Sequence, residues 1–373
     1  MTRGAPGTLG LGTGAAEGRE RVPGRPPLRV GPASWVLRAR ALAVPLVGLA
    51  AVVLLMAVSI GRGEFPLSVG DVLEVLAGGG DRPQRYIVLD LRLPRSLTGA
   101  LVGAALGLSG ALTQTITRNP LATPDITGIT AGAGAAAVGV IVVGGSYGAI
   151  TGPLAEIGVP LAGLLGGLLS ALAVYLLAWQ RGVEGYRLVL VGLGAHALLI
   201  SVTYWLLTLG DVTDAGRAVV WLTGSLNGRG WEHVQPVGWA LAVLVPLTLL
   251  GAHALGALQM GDDTARGLGV RVNLTRAALL LAAVALAAVA TASAGPVAFV
   301  ALATPQIAMR LSRTAQPPLI ASAVVGAVLT VGSDLVARTA FGGVELPVGI
   351  ITAVLGAPYL MYLLVRRYRE VRA

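Results

Sequence analysis

Nine stretches of this chain, each at least 20 residues long, contain no Lys, Arg, Asp or Glu: 41–61, 96–117, 126–155, 157–180, 188–210, 233–261, 277–309, 314–333 and 346–365. A helix rises about 1.5 Å per residue, so about 20 apolar residues cross the roughly 30 Å hydrocarbon core of a bilayer. The pattern predicts an all-α, polytopic membrane protein. The stretch 277–309 would reach about 50 Å as one helix. Ala294-Gly295-Pro296 offers a natural break within it. Dividing it there gives about ten transmembrane helices and puts both termini on the same side.

Charge sets the orientation. The formal net charge is +9, and every one of the 27 basic residues is Arg. With cytoplasmic termini, 19 Arg fall inside and 8 outside, and the two tails carry the difference. The positive-inside rule favours that arrangement. The same excess needs no nucleic acid to explain it, and no basic patch is interleaved with aromatics. Absent residues narrow the chemistry further. Without Cys there is no disulfide framework or thiolate metal site. Without Lys there is no phosphate-binding Walker A loop, so any ATP-driven step needs another chain. His196, His233 and His253 are too dispersed to suggest a metal site or a triad. No catalytic group, metal or cofactor is expected.

Residues 1–37 are rich in Gly, Pro and Arg and read as a disordered cytoplasmic tail ahead of a permease-like domain, 38–373. The spans fall at about 41–61, 96–117, 126–145, 157–180, 188–210, 234–256, 277–293, 296–312, 314–336 and 346–365. The outer segment 62–95 contains an amphipathic helix, Leu67 to Leu76, capped by Ser68 and ended by Gly78-Gly79-Gly80. Trp35, Trp179, Trp205 and Trp239 fall near span ends, as interfacial rings do. Gly103/Gly107, Gly128/Gly132 and Gly163/Gly167 have the spacing of close helix contacts.

Ion-coupled carriers keep ionisable groups deep in the membrane. Here Asp125, Glu156, Asp334 and Glu345 all lie at span ends, which argues against that class. His196, halfway down the fifth span, is the exception: an intramembrane ionisable residue is a functional candidate, and the favoured alternative is a neutral side chain bonded to a neighbouring helix. The inner loop 257–276 holds Met260-Gly261-Asp262-Asp263-Thr264-Ala265-Arg266-Gly267-Leu268-Gly269. Paired acids at a helix start followed by glycines predict a short surface helix.

Several segments together resemble one family, the FecCD-type permeases of ABC importers for iron–siderophore, haem and cobalamin. They are Leu91-Arg92-Leu93-Pro94-Arg95, Thr117-Arg118-Asn119-Pro120-Leu121, the Gly261–Gly269 loop, Gly295-Pro296-Val297-Ala298-Phe299, and Glu345-Leu346-Pro347-Val348-Gly349. They occur in family order. Thr304-Pro305-Gln306 departs from the family's usual Val-Pro-His and, with the Trp221–Trp231 stretch, resembles the ferric-enterobactin-type subgroup.

The resemblance implies a ten-helix subunit that pairs with a second permease subunit, identical or paralogous, around a path lined by the fifth span. Two ABC ATPase subunits are expected beneath it, and an extracytoplasmic binding protein above it. Gly261, Asp262, Asp263, Thr264, Ala265, Arg266, Gly267 and Gly269 are similar to the family's coupling helix. Arg92, Arg95 and Arg338 resemble outer arginines that meet acidic residues of the binding protein. Asn119, Pro120, Gly295, Pro296, Leu346, Pro347 and Gly349 are expected as structural motifs. Cargo would be an iron–siderophore complex, or cobalamin or haem, crossing the cytoplasmic membrane of a prokaryote.

Overall fold

In the computed structural model, the described residues are 28–30, 33–35, 39–63, 65–146, 153–179, 185–342 and 344–372. The chain divides into two units, Met1–Ala39 and Arg40–Ala373. Most of the expected tail lies outside the described residues. In the remainder, β1 (Leu28–Val30) pairs antiparallel with β2 (Ala33–Trp35), Leu28 opposite Trp35.

The second unit is built of helices. Among the described residues, seven are long and apolar enough to cross a membrane, and two shorter apolar helices accompany them. α1 (Ala39–Gly61) is the most peripheral of the seven. α2 (Val69–Leu76) is the expected amphipathic helix. Ser68 accepts from the Asp71 amide at 3.2 Å and the Asp71 carboxylate accepts in return at 2.8 Å, a capping box.

The segment expected as outer loop up to residue 95 instead becomes helical at 82. Asp81 caps α3 (Arg82–Arg85) through the Gln84 amide at 2.9 Å. A π-helical stretch, Tyr86–Arg92, then runs into α4 (Leu93–Thr117), making one rod of 36 residues. α4 is the central element, buried along nearly its whole length. Its glycines explain this. A Cβ on Gly103 would stand 2.3 Å from the Gly326 carbonyl oxygen, and one on Gly107 2.2 Å from that of Ser322. The backbones of α4 and α14 (Leu319–Thr339) therefore touch directly, as small residues allow in membranes.

After α4 the chain does not re-enter helix at 126. Pro124–Thr127 forms a 3₁₀ turn, and α5 (Ile129–Ser146) begins after Gly128. α6 (Pro153–Ala178) and α7 (Gly185–Leu209) follow. Asp211 caps a further helix, α8 (Val212–Leu222), and 223–230 follow without helix. The expected sixth span is two helices, α9 (Trp231–Leu250) and α10 (Ala252–Gln259), divided at Gly251. α11 (Asp262–Gly267) is the expected loop helix and leads to α12 (Val272–Ala294).

The eighth span needs correction. α13 (Val300–Ser312) has 13 residues, about 20 Å, well short of the hydrocarbon thickness. Gly295 to Phe299 precede it without helix. Such backbone survives at membrane depth only where protein satisfies it. Here Ser225 donates its amide to the Ala294 carbonyl at 2.8 Å, and Val300 and its neighbours are buried. α15 (Val348–Arg372) closes the domain.

Candidate coupling and docking sites

On the side of the proposed inner loops, α11 is a six-residue helix between two backbone turns. Gly261 (φ 110°) starts it and Gly269 (φ 80°) leaves it, both in the left-handed region that favours glycine. Ala265 is fully buried and seats the helix on the main core. Asp262 is held from two sides, by Arg118 at 2.5 Å and Arg276 at 3.0 Å. Burial pushes the Asp262 carboxyl up, but the bonds and charges of Arg118 and Arg276 outweigh it. The carboxyl is held below its ordinary range. Asp263 differs from its neighbour. Its side chain is 100% exposed and pairs only within the helix, with Arg266 at 2.9 Å. Thr264, Gly267 and Leu268 share this exposed surface. A Cβ on Gly267 would meet nothing within 4 Å, so nothing within this chain requires glycine there.

Arg118 brings two expected motifs together. It terminates α4 in a left-handed conformation (φ 51°), and its Nε donates to the Leu258 carbonyl at 2.9 Å while Nη2 reaches Asp262. Asn119 turns the chain here, its Oδ1 accepting from the Leu121 amide at 3.0 Å ahead of the non-helical run through Pro120. α11 is thereby tied to the end of the central helix.

The opposite end carries Arg92, Arg95 and Arg338, and each has partners within the chain. The Arg95 guanidinium meets Asp334 at 2.9 Å and Glu345 at 3.0 Å, with Arg95 only 8% exposed. Arg338 pairs with Asp334 at 3.4 Å and donates to the Ser59 carbonyl at 3.0 Å. Arg92 donates to the carbonyls of Ile60 and Phe65, both at 2.7 Å. Each guanidinium is already occupied by its own chain. Asp334 and Arg338 are four residues apart on α14, a helical spacing legible in the sequence. The pairing of Arg95 with Asp334 spans 239 residues and is not.

The remaining motifs converge on the break before α13. A Cβ on Gly349 would stand 2.0 Å from the Thr223 carbonyl oxygen, and one on Gly295 2.4 Å from that of Trp221. The Gly349 amide donates to Gly224 at 3.1 Å, and the Leu346 amide to Ala337 at 3.1 Å just before Pro347. The segment after α8, the Gly295-Pro296 break and the entry to α15 thus form one backbone-to-backbone knot.

Gln306 has a partner that the sequence did not single out. Its Nε2 donates to the Gln114 Oε1 at 2.6 Å, and Gln114 donates to the Leu302 carbonyl at 2.9 Å. These buried amides join α13 to α4. His196, expected to bond to a neighbouring helix, makes no hydrogen bond among the described residues. It lies within electrostatic reach of Asp125 in the 3₁₀ turn. That turn packs on the first third of α7, where a Cβ on Gly192 would stand 1.7 Å from the Ile126 carbonyl oxygen.

Comparison with known proteins places this geometry. The family model of the FecCD transport family matches residues 49–366. The achromobactin transport system permease protein CbrC of Dickeya dadantii is 43% identical over 85% of this chain and 89% of its own length. The ferric enterobactin transport system permease protein FepG of Escherichia coli is 38% identical over 83% and 91%. Among solved structures, a metal-chelate type ABC transporter in an inward-facing conformation aligns with TM-score 0.72 at 26% identity. That alignment covers 87% of this chain and 99% of the other.

Proposed function

The chain belongs to the FecCD transport family, and from that premise we propose that it is the membrane-spanning permease subunit of an ATP-driven importer for a ferric siderophore. The relatives at 43% and 38% identity are named for achromobactin and ferric enterobactin, which supports a chelated-iron cargo. Cobalamin and haem are the competing cargoes within the same importer class. The observation that carries the reading is α11: an exposed short helix fastened by Asp262 to the base of α4. A second subunit with a cleft for Asp263, Thr264 and Gly267 would explain why Gly267 stands in open space. ATPase chains docked there would push on α11, and packed helices would carry that push outward.

In this reading the partners are a second permease subunit, two ATPase subunits and an extracytoplasmic binding protein. The termini and α11 are cytoplasmic. α7 lies beside the second subunit with much of its surface uncovered, including Leu193, Leu198 and Tyr204. The outer face receives the binding protein. There the network of Arg95, Asp334, Glu345 and Arg338 acts as a rigid floor, and the exposed Arg82 and Arg85 supply the attraction for acidic groups. No covalent chemistry is needed.

The test is uptake of a ferric catecholate in cells lacking this chain, with and without ATP depletion. Uptake that is lost, restored by the gene and abolished by ATP depletion supports the importer. Uptake that persists without ATP but collapses with the proton gradient would point to a secondary transporter. Normal ferric-siderophore uptake with failed cobalamin or haem uptake would move the cargo.

A further inference from the structure

The segment 223–230, between α8 and α9, is not helical and is held by individual hydrogen bonds. Ser225 donates its amide to the Ala294 carbonyl at 2.8 Å, and the Gly224 carbonyl accepts from the Gly349 amide at 3.1 Å. The near end of the segment therefore belongs to the knot between the break before α13 and the entry to α15. Its far end is fastened by one side chain. Arg229 donates from Nε to the Ser225 carbonyl at 3.2 Å and from Nη1 to His233 Nε2 at 2.9 Å. His233 is buried in the first turn of α9, and its Nδ1 meets the Glu232 carboxylate at 2.9 Å. The same carboxylate oxygen accepts from the Gly230 amide at 3.1 Å.

These contacts fix the state of the ring. A guanidinium has donors only, so His233 Nε2 accepts. The imidazole is then neutral, with its one proton on Nδ1 and donated to Glu232. A second proton can enter only at Nε2. It would set two donors and two positive charges face to face, and Arg229 does not give up its own proton. Protonation therefore spares the bond to Glu232 and breaks the bond to Arg229, whose other hydrogen bond, to Ser225, lies within its own segment.

No neighbouring charge takes over the role of His233. Glu232 is the other charged residue of α9. Of the helices packed on α9, α4 brings Arg95, engaged by Asp334 and Glu345, and α12 brings Arg276, engaged by Asp262. α10 brings His253, near its own start at the other end of α9. The π-helical stretch, which Trp231 joins through the Leu89 carbonyl, brings Arg92, bound to carbonyls, and the exposed Asp90.

We propose that His233 is an acid-sensitive latch: the neutral ring holds Arg229 and with it the segment 223–230, and protonation at Nε2 releases that segment from α9. Release loosens the knot at Gly224 and Ser225, so the break before α13 and the entry to α15 gain freedom together. The contact is made only by the neutral ring. It is complete above the ordinary imidazole range and is lost on acidification. The compartment whose pH sets the latch rests on the orientation given under Proposed function. The latch itself does not.

The experiment is hydrogen exchange of the peptide covering 223–230 in the purified full chain in nanodiscs, at about pH 8 and about pH 5, either side of the ordinary imidazole value. The parent is compared with His233→Gln, whose side-chain oxygen can accept from Arg229 and takes up no proton in this range. Intrinsic exchange slows equally in both at the lower pH, so the ratio of parent to variant isolates the latch. The ratio should be about one at the higher pH and rise about fivefold or more at the lower, the scale expected for losing one hydrogen bond to a charged group. A ratio that stays flat or falls on acidification overturns the proposal. Arg229→Ala opens the latch outright. It should exchange faster than the parent at the higher pH and converge with it at the lower, and a gap that persists at both overturns the proposal as well. The side is read separately, because the chain has no native Cys and Asn227 is exposed in the same segment. Asn227→Cys should react with a membrane-impermeant maleimide in intact cells. Labelling only after the membrane is opened would refute the outer placement and the permease orientation, leaving the exchange result intact.

Discussion

Asp262 and Asp263 are adjacent in sequence and opposite in situation, so removing each carboxylate should produce different failures. Asp262→Ala deletes ion pairs to Arg118 and Arg276. These side chains are 32%, 42% and 21% exposed, so water screens them and each pair is worth about 0.5–1 kcal/mol. Together they hold α11 with about 1–2 kcal/mol, and their loss should raise the undocked population about 5- to 30-fold. Ala265, fully buried under α11, reports that population. In an Ala265→Cys background with no other thiol, maleimide labelling under rapid opening should accelerate by that factor in Asp262→Ala. Asp263→Ala removes only an intrahelical contact and should leave the labelling rate alone. In the reconstituted importer Asp263→Ala should still lower cargo-stimulated ATPase activity, because its carboxylate is on the exposed face. The reasoning is refuted if the two variants label at the same rate, or if Asp262→Ala labels no faster than its parent. The pH dependence has a definite sign. Because the folded state holds Asp262 below its ordinary carboxylate range, its contribution is complete above the unfolded value. It fades as pH falls through the lowered one. The undocked population, read with an acid-tolerant pyridyl disulfide as the labelling rate of the Ala265→Cys thiol divided by that of a fully exposed thiol at the same pH, should therefore rise on acidification when Asp262 is present, and much less when Asp262→Ala is added.

Two further outcomes test the packing. Asp334→Ala strands two buried guanidiniums and should cost about 3–5 kcal/mol, read as a lowered midpoint in thermal unfolding; combined with Arg95→Met the cost should shrink, since both charges leave together. Gly103→Ala forces a methyl against the Gly326 carbonyl and should cost about 1–3 kcal/mol, whereas Gly267→Ala, in open space, should leave stability unchanged and impair only coupling.

What the sequence disclosed followed from periodic and local signals. Charge-free length located nearly every spanning helix, and Ser68 with Asp71 announced α2. Paired acids with flanking glycines announced α11. Two kinds of feature escaped. The first is helix whose stability comes from burial: the stretch Arg82–Arg92 carries three arginines and reads as loop, yet Trp231 donates to the Leu89 carbonyl at 3.0 Å and Val88 is fully buried. The second is pairing over hundreds of residues. Arg92, Arg95 and Arg338 were legible as a cluster of outer cations, but nothing local reveals that their partners are Ile60, Asp334 and Ser59. The half-length of α13 was partly visible, because Gly295-Pro296 marked the break. The position of Phe299 did not mark it: a non-glycine at φ 63° delays the helix to Val300. Gln306 stood out as a departure, and its partner Gln114 lies 192 residues away.

These long-range contacts share one helix. At its inner end α4 is joined to α11 through Arg118 and Asp262. Midway it is joined to α13 through Gln114 and Gln306, and along its length to α14 through Gly103 and Gly107. At its outer end Arg95 binds α14 and the approach to α15 through Asp334 and Glu345. Direct backbone contact leaves no soft layer between α4 and α14, and close-packed interiors transmit displacement with little compression. Under the proposed coupling role, a push on α11 would therefore reach the opposite face as movement of an α4–α14 unit, not as bending within it. The compliant elements must lie outside that unit. α7 is one candidate, with much of its surface uncovered. The inner half of α1 is another, separated from α13 and α14 by an open groove. An alternating path needs a stiff transmitter and a wall that can yield, and the packing of this chain separates the two along different helices.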